Sequence, residues 1–161
     1  MSGKKLVLSL VAVVALLLAA VPSLAAEATP DTYRSEAEPI CKRNAEANAT
    51  ILKGVRANVS AGKLKKASRQ LLAAAAALKK TREQLLKVPK PTEDAAQLTE
   101  WLKGVKGEAE LLEAAGRKLA KGEKNAAQKM VVRLDSNARK TNNLVLDYGF
   151  RYCRFQPSKF L

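Results

Sequence analysis

Residues 60–88 read SAGKLKKASRQLLAAAAALKKTREQLLKV, and this stretch decides the fold. Leucines recur in it every seven residues, and small or branched residues hold the complementary positions. The two sets are Leu64, Leu71, Leu78 and Leu85, with Ala67, Ala74, Thr81 and Val88. A recurrence of this kind gives a helix one continuous apolar seam. We therefore predict a helix over 63–88 that packs lengthwise on a neighbour.

Three further segments around this stretch have a helical period. Together with 63–88 they give four predicted helices, at about 36–59, 63–88, 93–121 and 124–148, and a tail over 149–161. Short turns join these helices, and short turns between helices of similar length favour antiparallel neighbours. The expected fold class is therefore all-α, an up-down-up-down four-helix bundle over residues 27–161.

The first 26 residues are typical of an export signal. Lys4 and Lys5 precede a stretch from Leu6 to Ala26 without any charged residue, and small residues follow Pro22. We expect cleavage near residue 26, with retention as a membrane anchor as the alternative. The protein is accordingly expected outside the cytoplasm, either secreted or associated with the cell envelope.

Cys41 and Cys153 are the only two cysteines. Because an oxidising compartment favours joining them, we predict one disulfide from the start of the first helix to the segment after the fourth. Two free buried thiols are the alternative. A zinc site is not expected, because two cysteines without any histidine lack the usual ligand set.

Most of the aromatic residues lie after the fourth predicted helix begins to end. They are Tyr148, Phe150, Tyr152, Phe155 and Phe160, and Tyr33 stands before the first predicted helix. One interpretation is a plug that seals the disulfide end of the core. The other is an exposed aromatic patch for a ligand or partner.

The chain has 29 basic and 15 acidic residues, and the basic residues concentrate in the second predicted helix. With its leucines turned inward, six of them fall on the outward arc, which we call the basic face: Lys65, Lys66, Arg69, Lys79, Lys80 and Lys87. Such a face attracts phospholipid headgroups, wall polymers or an acidic protein partner, whereas nucleic acid is not expected. Alternatively the lysines only keep an alanine-rich helix soluble.

No enzymatic chemistry is indicated. Histidine is absent, and no glycine-rich phosphate loop occurs, so we expect a non-enzymatic protein without a cofactor. Glu108, Glu110 and Glu113 stand among basic residues at spacings typical of surface ion pairs, which predicts a solvated face.

Several asparagines fall near the predicted apolar seams. Buried asparagines often fix helix register. The alternative is a polar ligand groove between the first and fourth predicted helices, lined by Asn44, Asn48 and Asn137.

The Ala/Lys-rich mature part, with Ile40-Cys41 near its start and Tyr152-Cys153 near its end, resembles small exported helical proteins of high-GC Gram-positive bacteria. The resemblance is one of style and spacing, and it implies location and architecture but no activity. The first functional hypothesis is a bundle that docks on an anionic envelope surface through its basic face. The second is a small-ligand binder that uses the asparagine groove. The sequence does not indicate an oligomeric state.

Overall fold

The structure of the protein, a computed structural model, describes residues 27–161. The helices in this range are α1 (Pro30–Ile51), α2 (Val55–Ser60), α3 (Leu64–Leu85), α4 (Ala95–Ala120) and α5 (Lys124–Asn143), followed by a short 3-10 turn (Pro157–Lys159). The described part contains no strand, so the all-α class is confirmed. The expected signal segment, with its cleavage or retention, lies outside the described residues. No helix between residues 27 and 161 combines the length and apolarity needed to cross a membrane.

Helix α3 lies at the centre of the fold, and its heptad pattern is confirmed. The predicted seam residues from Ala67 to Val88 are buried, while Leu64 at the helix start is half-buried. Helix α3 packs against α4, α4 against α5, and α1 against α3. The α3–α4 contact is close, because the Ser68 hydroxyl donates a buried 2.8 Å hydrogen bond to the Gly116 carbonyl. A Cβ atom at Gly116 would lie 2.9 Å from Leu72 Cγ, so only glycine fits there without a shift.

The first predicted helix is two helices in the structure. Helix α1 already begins at Pro30, where Thr29 and Thr32 form a reciprocal capping box. It ends at Ile51, and the chain turns through Gly54, whose φ is +72°. The Gln70 side chain holds this turn, because its Nε2 donates to the carbonyls of Ile51 at 2.8 Å and Lys53 at 2.9 Å. The helical period of residues 36–59 did not reveal this break, because the carbonyl groups at the turn accept hydrogen bonds from Gln70 of α3.

Helix α5 ends at Asn143, before the predicted boundary at residue 148, and the chain continues in turns. Because the helix ends there, the residues that follow can turn towards the core. The Tyr148 hydroxyl donates to Asp94 Oδ2 at 2.6 Å, and Gly149 follows with a φ of +61°. The positive φ favours glycine and brings Phe150 into the core at 1% exposure.

The predicted disulfide between Cys41 and Cys153 is present and joins α1 to the tail. An aromatic cluster of four buried rings stands in the same part of the core: Tyr33, Trp101, Tyr148 and Phe150. Phe150 lies in the middle, with its ring centroid 5.7 Å from Trp101 and 5.2 Å from Tyr148. Tyr33, Tyr148 and Phe150 belong to the expected plug, and Trp101 of α4 joins them. The later aromatic residues of the tail are only half-buried, and they belong to the site described next.

Candidate ligand-binding cavity

A cavity of about 540 Å³ opens between α1, α3, α4 and the tail. Its volume lies within the roughly 300–1,000 Å³ typical of small-molecule sites. Helix α3 contributes Leu78 and Leu85 of the apolar seam, and α4 contributes Val105. The half-buried rings of Phe155 and Phe160 form part of the tail side. Most of the wall is therefore apolar.

Glu108 of α4 is the most unusual residue of this wall. Only 1% of it is exposed, and its Oε1 has no hydrogen-bond partner among the described residues. Burial raises the pKa of the Glu108 carboxyl from 4.5 to about 8, because water no longer solvates its charged form. At neutral pH the group is therefore mostly protonated, so it can both donate and accept a hydrogen bond.

The prediction that Glu108 belongs to a solvated face was wrong. Glu113 does pair with Lys79 and Arg117, and the Lys106–Glu110 pair lies on the surface at 3.5 Å. Glu108, however, lies between Val105 and Leu112 on the buried stripe of α4. The sequence did contain an indication of this, since the predicted apolar stripe of this helix has no member between Val105 and Leu112. The charged neighbours hid it, since they fit an ion-pair pattern equally well.

Two further buried polar atoms belong to side chains of the same cavity. Asn48 is 2% exposed, and its Nδ2 donates to Asn44 Oδ1 at 3.3 Å while its own Oδ1 has no partner among the described residues. The Trp101 indole Nε1 is likewise buried and unpartnered there. Together with Glu108, these lining residues hold two hydrogen-bond donors and two acceptors that no other described residue satisfies.

Asn137 does not line this cavity, so the groove was placed wrongly between the first and fourth predicted helices. The Asn137 Nδ2 donates to the Gly104 carbonyl at 2.9 Å and to Thr141 Oγ1 at 3.3 Å. It therefore ties α5 to α4, which is the register role of a buried asparagine. Gly104 has a packing role as well, since a Cβ there would lie 2.2 Å from Thr141 Oγ1. The tail takes the place beside α1 that α5 was expected to fill.

The mouth of the cavity is positively charged. We call its four charged side chains the mouth residues: Glu46, Arg151, Arg154 and Lys159. The tail is fixed behind them through Glu38 of α1, whose carboxylate accepts hydrogen bonds from the backbone N–H groups of Arg151 and Tyr152. Glu46 is the only acid among these four residues, so the mouth favours anions.

All six residues of the basic face are exposed, which agrees with the predicted outward arc. Lys79 is engaged across the helix interface, where its Nζ lies 2.6 Å from Glu113 Oε2. The hydrogen bond from Lys79 is the largest cause that lowers the pKa of Glu113, and Arg117 adds to it. The other five basic-face residues make no ion pair within residues 27–161.

Comparisons with protein-family models, curated proteins and solved structures found no significant match to the chain. Within residues 27–161, no three His, Cys, Asp or Glu side chains come together in a way that would hold a metal ion.

Proposed function

We propose that this is an exported, non-enzymatic protein that binds a small molecule in the cavity between α1, α3, α4 and the tail. One observation carries the proposal: Glu108, Asn48 and Trp101 each place a buried polar atom without a protein partner on side chains that line this one cavity. About 90% or more of buried polar groups in folded proteins are hydrogen-bonded. Five such unpartnered atoms occur in the described residues, and the three that belong to residues lining this cavity are best explained by a bound ligand that completes them.

The cost of burying these atoms without partners supports the same proposal. A buried polar group without a partner costs roughly 1–3 kcal/mol, which is large against typical folding free energies of about 5–15 kcal/mol. A protein that only needed a stable core would gain from leucine at position 108. A buried carboxyl in a pocket of apolar residues is instead typical of a binding or functional site.

The first experiment fills the cavity. Ala45 of α1 is half-buried and lines it, so Ala45→Phe places a ring in the cavity, whereas Ala47→Phe adds the same ring to an exposed position of α1 that does not line it. The probe is N-phenyl-1-naphthylamine, a neutral dye whose emission rises in apolar sites. We expect the wild type and Ala47→Phe to enhance its emission equally, and Ala45→Phe to lose about tenfold or more in affinity because the site is occupied. Equal binding by all three proteins, or binding by none, would contradict the proposal.

A second function is supported by the basic face. Five of its six residues are exposed and lack an ion pair within the described range, so their charge is available to an anionic envelope surface or an acidic partner. Basic residues near an anionic membrane contribute about 1 kcal/mol each. We propose that this face docks the protein on anionic phospholipid and leaves the cavity mouth free.

The docking proposal is tested by charge reversal. The variant replaces Lys65, Lys66, Lys80 and Lys87 by Glu and keeps Lys79, whose ion pair with Glu113 supports the fold. The control reverses four exposed lysines elsewhere: Lys121, Lys124, Lys129 and Lys140. In sedimentation with vesicles rich in phosphatidylglycerol, we expect the first variant to lose at least about tenfold in binding and the control to lose much less, with strong salt dependence in the wild type. Equal losses would mean that net charge alone acts, and the face would have no docking role.

A further inference from the structure

We infer that the cavity selects an amphipathic anion: a molecule with an apolar body, a hydroxyl-like group that reaches the buried end, and a negative charge held at the mouth. This inference rests on the proposed function and names the ligand class of the same cavity. It follows from the order in which polar, apolar and charged side chains line the site.

The buried end requires a group that donates and accepts together. Glu108, Asn48 and Trp101 offer a carboxyl group, an amide oxygen and an indole N–H, all without protein partners. A hydroxyl gives one hydrogen bond and accepts two, so it pairs with both donors and one of the two acceptors. A purely apolar group placed there would leave these atoms unpaired, so the site discriminates against it.

The middle of the cavity requires an apolar body. Leu78 and Leu85 of α3 and Val105 of α4 line it, and all three are buried residues of the core. A sugar or another molecule that is polar throughout would lose its hydration against these side chains without gaining hydrogen bonds. An aliphatic chain or an aromatic ring gains by being removed from water.

The mouth determines the charge of the other end. The charged or titratable side chains that line the cavity are Glu46 from α1, Glu108 from α4, and Arg151, Tyr152, Arg154 and Lys159 from the tail, while α3 contributes none. Three cations against one acid at the mouth attract a carboxylate, sulfate or phosphate group. An ammonium ligand for Glu108 would have to pass these cations, and Glu108 is mostly uncharged at neutral pH, so a cation is disfavoured.

The test uses three probes that share one chain length: 10-hydroxydecanoate, decanoate and 1-decanol. Their affinities for the full, oxidised protein are measured by calorimetry, and the emission of Trp101 reports occupancy because it is the only tryptophan and lines the cavity. We expect 10-hydroxydecanoate to bind about threefold to tenfold more tightly than decanoate, which lacks the hydroxyl. We expect a similar advantage over 1-decanol, which lacks the charge, and this second advantage should shrink as salt is added.

Substitutions test which residues cause the preference for the hydroxyl and which cause the preference for the carboxylate. Glu108→Leu should erase the advantage of the hydroxyl while decanoate still binds, and Glu108→Gln should retain most of it because an amide also donates and accepts. The double substitution Arg154→Gln with Lys159→Gln should erase the advantage of the carboxylate and its salt dependence. Unchanged helicity establishes that each variant keeps its fold, and the ratio of the probe affinities within each variant, rather than any single affinity, reports the preference.

The outcomes separate the two levels of the proposal. Equal affinities for the three probes, or tightest binding of 1-decanol, would overturn the ligand class. Failure of all three to displace the neutral dye would overturn it as well, while the cavity would remain a binding site. Failure of the dye itself to bind in the wild type would overturn the proposed function.

Discussion

Raising the pH from about 5 to about 8.5 is expected to destabilise the folded protein through Glu108. Its pKa is about 8 in the folded protein and 4.5 when exposed, so between these values the folded state holds a proton that the unfolded state has released. Stability therefore falls as pH rises through this range, and it is fully present below about 4.5. Over this range the loss approaches about 4 kcal/mol at about 1.4 kcal/mol per pH unit, an upper bound that any water entering the cavity would reduce.

The measurement is urea unfolding at several pH values for the wild type and Glu108→Gln, which does not titrate. We expect the difference in unfolding free energy between them to change across this range in favour of the variant. Groups that titrate in both proteins, such as Glu113 and Glu123 with their lowered pKa values, cancel in this difference. A constant difference from about pH 5 to about pH 8.5 would show that Glu108 ionises normally, and that its carboxylate is solvated or paired.

Removal of the disulfide is the second change with a large expected effect. Cys41 and Cys153 are separated by 112 positions, and a cross-link across so long a loop contributes about 4–5 kcal/mol in the chain-entropy model. The double variant Cys41→Ser with Cys153→Ser should therefore unfold at a much lower urea concentration. It should also bind the neutral dye more weakly, because Cys153 lies in the segment that closes one side of the cavity.

The two effects are separated by measuring dye binding well below the unfolding transition, where circular dichroism still reports full helicity. Weak binding by a fully helical variant would mean that the tail leaves α1 while the helices stay packed. Wild-type stability and wild-type binding in the double variant would contradict the assigned role of the bond. In that case the hydrogen bonds that Glu38 accepts from Arg151 and Tyr152, together with the aromatic cluster, would hold the tail without it.

Much of the fold followed from local patterns. The seam of α3 was predicted residue by residue, because a long amphipathic helix buries one stripe whatever its neighbours are. The disulfide followed from two cysteines and the expected compartment. The break at Gly54 did not, since it depends on Gln70, which is distant in sequence and supplies the hydrogen bonds that the turn requires.

The candidate site was predicted only in part, for a similar reason. Asn44 and Asn48 were placed in a ligand groove from their seam positions, and both line the cavity. Asn137 was grouped with them because α5 was expected beside α1. The early end of α5 and the inward turn at Tyr148 bring the tail there instead, and a helical period cannot reveal how an irregular segment packs. Glu108 was missed because its spacing from the neighbouring charged residues indicated a surface ion pair. That pattern was given more weight than its position on the buried stripe of α4.

The tail also sets the order in which this molecule can assemble. Contacts between α3 and α4 and between α4 and α5 join helices that follow one another, so they close short loops and form quickly. The side of the cavity that contains Cys41 and Cys153 is formed by two distant parts of the chain. Bringing these parts together costs a larger loop-closure entropy. The helical hairpins are therefore expected to be in place before the cavity exists. The proposed binding of a ligand would therefore become possible only in the last folding step, when α1 and the tail meet.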